Sequence, residues 1–129
     1  MDRQRVFSGV PAEALVGYCR ALKAGDRIFV SGTASLKEDG TVHAPGDAYA
    51  QTRYILERIE QALAELGAAL SDVVRTRMSV TDISRWPEFG KAHSEIFADH
   101  PPTTCAVEVG SLGLPGLLIE IEVDAVVDS

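Results

Sequence analysis

Near the C-terminus three carboxylates, Glu120, Glu122 and Asp124, stand at every second position of the run Leu117–Val127. A carboxyl group can carry protons in both directions at neutral pH once its surroundings raise its proton affinity, so this is the first place to look for chemistry. Side chains alternate between the two faces of an extended strand, which puts the three acids on one side with Leu118 and Val126. Leu117, Ile119, Ile121, Val123, Ala125 and Val127 fall on the other side, which reads as core. The acidic face is too apolar at its ends for a solvent edge and too charged in its middle for a core, which describes an interface or a cleft. The remaining reactive side chains say less. Cys19 and Cys105 have no CxxC spacing and read as free thiols, and Cys105 as strand packing. His43 falls in an exposed loop, His93 on a helical packing stripe and His100 at a chain break, with no spacing that suits a metal.

Several elements must position these groups. The strand Thr103–Val109 precedes the acidic one, with Cys105, Val107 and Val109 on one side and Thr104, Ala106 and Glu108 on the other. Gly110, Gly113, Pro115 and Gly116 make the connecting loop. Upstream, Tyr18–Leu22 and Arg27–Thr33 flank Lys23-Ala24-Gly25-Asp26 as an opening hairpin. Asp47 as N-cap and Gly67 as left-handed C-terminal residue bound the longest helix, whose apolar stripe is Ala48, Thr52, Ile55, Ile59, Ala62, Leu63 and Leu66. Val73–Thr81 alternates as a strand, with Val74, Thr76, Met78 and Val80 on one face and Arg75, Arg77, Ser79 and Thr81 on the other. A second helix spans about Trp86–Ala98, with Pro87 in its first turn and Trp86, Phe89, His93, Ile96 and Phe97 pointing inward. Strand, helix, strand predicts a βαβ unit with parallel strands. The order as a whole predicts an α+β layer, one mixed sheet with both helices on one face. The opposite sheet face is left uncovered, and other copies of the chain are the economical cover.

Length allows one domain over residues 1–129 and no more. With 19 acidic and 12 basic residues the net charge is -7, which repels phosphate backbones and argues against a nucleic-acid partner. No apolar run reaches the roughly 20 residues that span a bilayer, and the first residues lack a signal-peptide core, so no membrane is expected and the location is read as cytoplasmic.

Taken together, the run Tyr18–Thr33, the pair Asp47 and Gln51-Thr52-Arg53, Gly67-Ala68 before Asp72-Val73-Val74, Val80-Thr81-Asp82, and VEV…LP…IEIE from Val107 to Glu122 resemble the YjgF/RidA family over essentially the whole chain. The resemblance implies a chorismate-mutase-like fold and a homotrimer with a central barrel, binding small molecules in clefts between subunits. It also implies hydrolysis of reactive enamines and imines to a carbonyl compound and ammonia, with no cofactor. Glu120 matches the family's acid/base glutamate, although on its own it reads as one of three carboxylates on a solvated strand. Glu122 and Asp124 keep that plainer reading. Tyr18 and Ser31 match positions lining the cleft; Cys105 borders it by the same analogy, and Ala106 is placed with it.

Thr104 departs from the pattern. Family members that act on 2-imino acids carry an arginine here, gripping the substrate carboxylate with two parallel hydrogen bonds. Gly90 stands where that branch tends to have asparagine. The two changes imply an arginine-less branch with altered substrate choice, or a noncatalytic small-molecule-binding trimer of the same fold. Arg20, Arg75 or Arg77 could supply a substitute cation, but each reads first as a surface arginine. The family's ribonuclease label is disfavoured by the negative charge and the lack of a histidine acid/base pair.

Overall fold

A computed structural model describes residues 2–128; Met1 and Ser129, the ends of the expected single domain, lie outside the described residues. Six strands form one sheet: β1 (Arg3–Val6), β2 (Ala21–Ala24), β3 (Arg27–Ala34), β4 (Val73–Val80), β5 (Thr103–Glu108) and β6 (Ile119–Val126). They run in the order β1-β2-β3-β6-β4-β5, with only β4 and β5 parallel among the paired neighbours. The helices are α1 (Pro11–Val16), α2 (Ala48–Glu65) and α3 (Trp86–Phe97).

The expected α+β layer is what forms. Ile55, Leu56, Ile59 and Leu63 of α2 and Phe89 and Phe97 of α3 share one cluster with Ile28, Val30, Met78, Ile119, Ile121 and Val123 of the sheet. Each such side chain contributes about 1.5–3 kcal/mol on leaving water, so this one layer supplies most of the drive to fold. The helix α2 begins where Asp47 accepts from the Ala50 amide at 3.0 Å, and Gly67, at φ 78°, follows its end in the left-handed conformation that a side chain resists. Gln51, fully buried, donates to the Ala44 and Gly116 carbonyls at 3.0 and 2.6 Å and accepts from the Leu118 amide at 2.9 Å. That side chain fixes the entry to β6, and with it the position of Glu120.

Several details differ from the sequence reading. Strand β2 starts at Ala21, because Tyr18 to Arg20 are drawn aside, with the Arg20 amide donating to Val6; the turn is only Gly25-Asp26. The N-terminal segment contributes β1 and α1, which carry too short an apolar pattern to stand out in sequence. Around α2, β3 and β4 do run parallel, but β6 lies between them and pairs antiparallel with both. A register shift between Val73 and Arg75 turns Val74 outward, where it is 46% exposed, while Val73 takes the core position. Trp86, in the first turn of α3, stays 40% exposed instead of joining the core stripe.

The sheet face away from the helices carries Phe29, Val74, Val107 and Val126, all exposed, among Arg77, Glu122 and Asp124. Arg77 lies 3.8 Å from Glu122 and 3.6 Å from Asp124 across neighbouring strands. Exposed pairs of this kind contribute at most about 1 kcal/mol.

Candidate active site

Glu120 sits on the open face of β6, opposite Ala34 of β3 and Ser79 of β4. Between Val30 and Thr33 strand β3 holds one more residue than β6 does, a bulge formed by Ser31 and Gly32. Bulges re-aim side chains beside a strand, and here the bulge brings the Gly32 backbone against Glu120. A Cβ built on Gly32 would lie 2.8 Å from Glu120 Cδ and closer still to Oε1. The glycine is therefore the notch into which the carboxylate fits. Burial pushes the Glu120 carboxyl above its usual pKa; the Arg20 charge pulls the other way, and Glu122 adds repulsion. The net displacement is upward, so the group holds a proton at a higher pH than a free glutamate does, the direction suited to a group that must donate and then recover one.

Arg20 organises the other side of the bulge. Contrary to the surface reading it is 4% exposed: Nε donates to Glu13 at 3.0 Å, and Nη1 donates to the Gly32 carbonyl at 2.7 Å and to Thr33 Oγ1 at 3.1 Å. Its Nη2 donates to the Tyr18 hydroxyl at 3.4 Å, and its guanidinium lies over the Tyr18 ring, 5.5 Å from the centroid. Glu13 is equally buried. Burial alone would raise its pKa, but donors from the Ser8 hydroxyl, the Ser8 amide and Arg20 outweigh it and hold the carboxyl below its usual range. The result is a fixed ion pair, joined by hydrogen bonds to the backbone against which Glu120 lies.

Tyr18 and Ser31 line one cavity of about 440 Å³, with Phe7, Glu13 and Cys19 also on its wall. Ser31 donates its hydroxyl to the Cys19 carbonyl at 2.7 Å, which leaves its oxygen lone pairs free to accept. Ser31 also reaches a groove of about 500 Å³ on the open sheet face, together with Phe29, Arg77, Glu122 and Asp124. The structure thus gathers Tyr18, Ser31 and, through Gly32 and Arg20, Glu120.

The remaining candidates are elsewhere. Thr104 accepts at 2.7 Å from Thr76, which is fully buried beneath α3 and lies 2.9 Å from His93 Nε2. Strand register then puts Thr104 and Ala106 on the helix-covered side of the edge strand β5 and Cys105, beside Arg77, on the open side. Gly90 lies on α3, on the same side as Thr104. Glu120 and Thr104 therefore emerge on opposite faces with β4 between their strands. His93 is half-buried, and desolvation pushes its pKa down, so it is neutral at physiological pH.

Two features escaped the sequence reading. A lone glycine in a strand of branched residues signals close backbone approach, and Gly32 carried that signal. Nothing in the spacing of Glu13 and Arg20 announced their pairing. Among the described residues no group of histidines, cysteines and carboxylates could hold a metal ion, and no helix is long and apolar enough to cross a membrane.

Comparison with known proteins places this arrangement. The family model described as endoribonuclease L-PSP matches residues 10–127. A protein from Streptomyces coelicolor, SCO2049, is 35% identical over 95% of this chain and 90% of its own length. The 3-aminoacrylate deaminase RutC of Acinetobacter baylyi is 37% identical over 83% of this chain and 84% of its own. Among solved structures, Mycobacterium tuberculosis Rv2704, described as a member of the highly conserved YjgF/YER057c/UK114 family, superposes with a TM-score of 0.89 at 48% identity, covering 98% of this chain and all of that one. The Escherichia coli YjgF gene product superposes at 0.83 with 27% identity, over 97% of this chain and 98% of its own. The chain belongs to the YjgF/YER057c/UK114 family, the endoribonuclease L-PSP family of the matching model.

Proposed function

We propose that the protein is an enamine/imine deaminase, acting as a homotrimer, that releases ammonia and a carbonyl compound with Glu120 as its acid and base. The observation that carries this reading is the Glu120 carboxyl itself, seated against Gly32 with its proton affinity raised. In its protonated form it delivers a proton to the enamine carbon, or to the nitrogen of an imine, giving an iminium ion. The resulting carboxylate takes a proton from water as the water oxygen bonds to the C=N carbon. Glu120 passes that proton to the nitrogen of the carbinolamine so formed; as the C–N bond breaks and the C=O bond forms, the carboxylate takes the remaining hydroxyl proton and ammonia leaves. One water is consumed per ammonia, and the carboxyl ends as it began. Tyr18 and Ser31 flank the same bulge and supply an aromatic wall and an oxygen acceptor for the bound substrate or water. The deaminase activity of the Acinetobacter baylyi relative supports this class of reaction.

The substrate differs from a 2-imino acid in this proposal, because Thr104 supplies a neutral hydroxyl where a guanidinium would grip a carboxylate. That hydroxyl is tied through Thr76 to His93, a chain with no formal charge when the histidine is neutral. The missing charge-assisted pair amounts to about 1.5–3 kcal/mol against carboxylate substrates. Since Thr104 and Glu120 lie on opposite faces of one sheet, a site using both takes them from different subunits. The open apolar face around Phe29 and Val126 favours such an assembly. The test is ammonia release from imines generated in place by an amino-acid or amine oxidase. Glu120-dependent release, faster with neutral imines, supports the reading. A folded trimer that binds imines without turning them over would instead be the binding module of the same fold.

A further inference from the structure

A cavity of about 350 Å³ between the N-terminal segment and α2, separate from the Tyr18–Ser31 cavity, has Arg20 and Arg58 in its wall. Arg58 Nη1 donates to the Ala34 carbonyl at 2.6 Å and Nη2 to the Ser8 hydroxyl at 3.1 Å, yet Arg58 makes no ion pair among the described residues. The one buried carboxylate nearby, Glu13, is taken by Arg20 and Ser8, and Arg58, itself partly buried, has no carboxylate of its own among the described residues. A partly desolvated guanidinium without an ion pair favours an anionic partner, and here that partner comes from outside the network. The exposed Glu38 and Glu65 also border the cavity, opposing any ligand that is purely anionic. Tyr54, stacked on His43 with ring centroids 4.1 Å apart, gives a firm aromatic wall, and Val10 and Leu36 an apolar one.

We propose that this cavity binds a free α-amino acid, its carboxylate against Arg58 and Arg20 and its ammonium toward Glu38 and Glu65. With roughly 30 Å³ per water, the space holds an amino acid of moderate size and several waters. The site needs no turnover at Glu120, so it stands or falls apart from the deaminase reading.

The experiment titrates L-leucine into the intact protein by calorimetry and by amide NMR shifts, alongside 4-methylpentanoate, which lacks the ammonium, and isoamylamine, which lacks the carboxylate. Saturable leucine binding is expected at millimolar or lower concentration, with amide shifts at Tyr54 and Arg58. Each analogue should bind about tenfold or more weakly, the worth of one charged hydrogen-bonded contact. Arg58→Gln should weaken leucine by a similar factor and Arg58→Lys by less. Should Arg58→Gln fail to fold, the doubly substituted rim variant Glu38→Gln/Glu65→Gln decides, because both residues are exposed: leucine should then bind no better than 4-methylpentanoate. Absence of saturable leucine binding overturns the proposal. So does equal binding of leucine and 4-methylpentanoate to the wild type, or an unchanged preference in the rim variant.

Discussion

Gly32→Ala perturbs the central geometry with a single methyl group. The new Cβ would lie 2.8 Å from Glu120 Cδ, whereas ordinary contact begins at 3.4–4 Å, so the carboxyl carbon must retreat by roughly 0.6–1.2 Å and its near oxygen by more. The clashing atoms are the far end of a flexible side chain, and Gly32 is not among the positive-φ glycines, so the backbone can stay where it is. Fold and assembly should survive, with stability changed by no more than about 1 kcal/mol, as at other sites away from a packed core. A misplacement of about 1 Å at a reacting group costs on the order of a hundredfold in rate, equivalent to about 2.7 kcal/mol of barrier. Ammonia release should therefore fall roughly a hundredfold in kcat/KM while the melting temperature and the elution volume hold. Wild-type turnover in a correctly folded Gly32→Ala variant would show that Glu120's seat against the bulge has no part in the chemistry.

Glu120→Gln removes a charge that burial disfavours. The folded pKa of Glu120 is raised, so the native state holds its proton to higher pH than the unfolded chain does, and wild-type stability falls as pH rises from about 4.5 through the folded value. The glutamine variant should match or exceed wild type in stability above that window and lose the advantage below it, as measured by denaturation at a series of pH values; an advantage that grows toward acid pH contradicts the assignment. Glu13→Ala should destabilise by about 3–5 kcal/mol, because it leaves Arg20 buried without its carboxylate, and urea titration reads this directly. Thr104→Arg should raise kcat/KM on imino acids roughly ten- to a hundredfold and leave neutral imines unimproved, with Thr104→Lys giving less because a point charge lacks the planar fork. Light scattering should give three times the chain mass at all accessible concentrations; a constant monomer mass would refute the trimer.

Much of the fold was legible because it is periodic. Alternation in Leu117–Val127 marked β6 and its two faces, and Asp47 and Gly67 marked the ends of α2, since caps and periods are local consequences of backbone geometry. What stayed hidden depends on contacts distant in sequence. The insertion of β6 between β3 and β4 has no local signature, nor does the bulge that turns Val74 out of the core. Glu120 could be singled out only through the family resemblance, because its strand offers three acids at equivalent spacing and only burial against Gly32 distinguishes one of them. Arg20 was misread for a related reason: arginines are exposed by default, and the carboxylate that permits its burial comes from α1, an element too short to show in sequence. Thr104 appeared as a departure from a pattern, but that it faces the helix side and bonds to Thr76 follows from strand register, which its own residues do not encode.

The most direct test of the account compares ammonia release by the wild type and by Glu120→Gln, each verified as folded and of the same assembly state, on a neutral imine generated in place. Measurable wild-type release above the spontaneous rate is expected, with a drop of about a hundredfold or more in the variant, the range for losing a positioned acid/base group. Release by Glu120→Gln at the wild-type rate would contradict it.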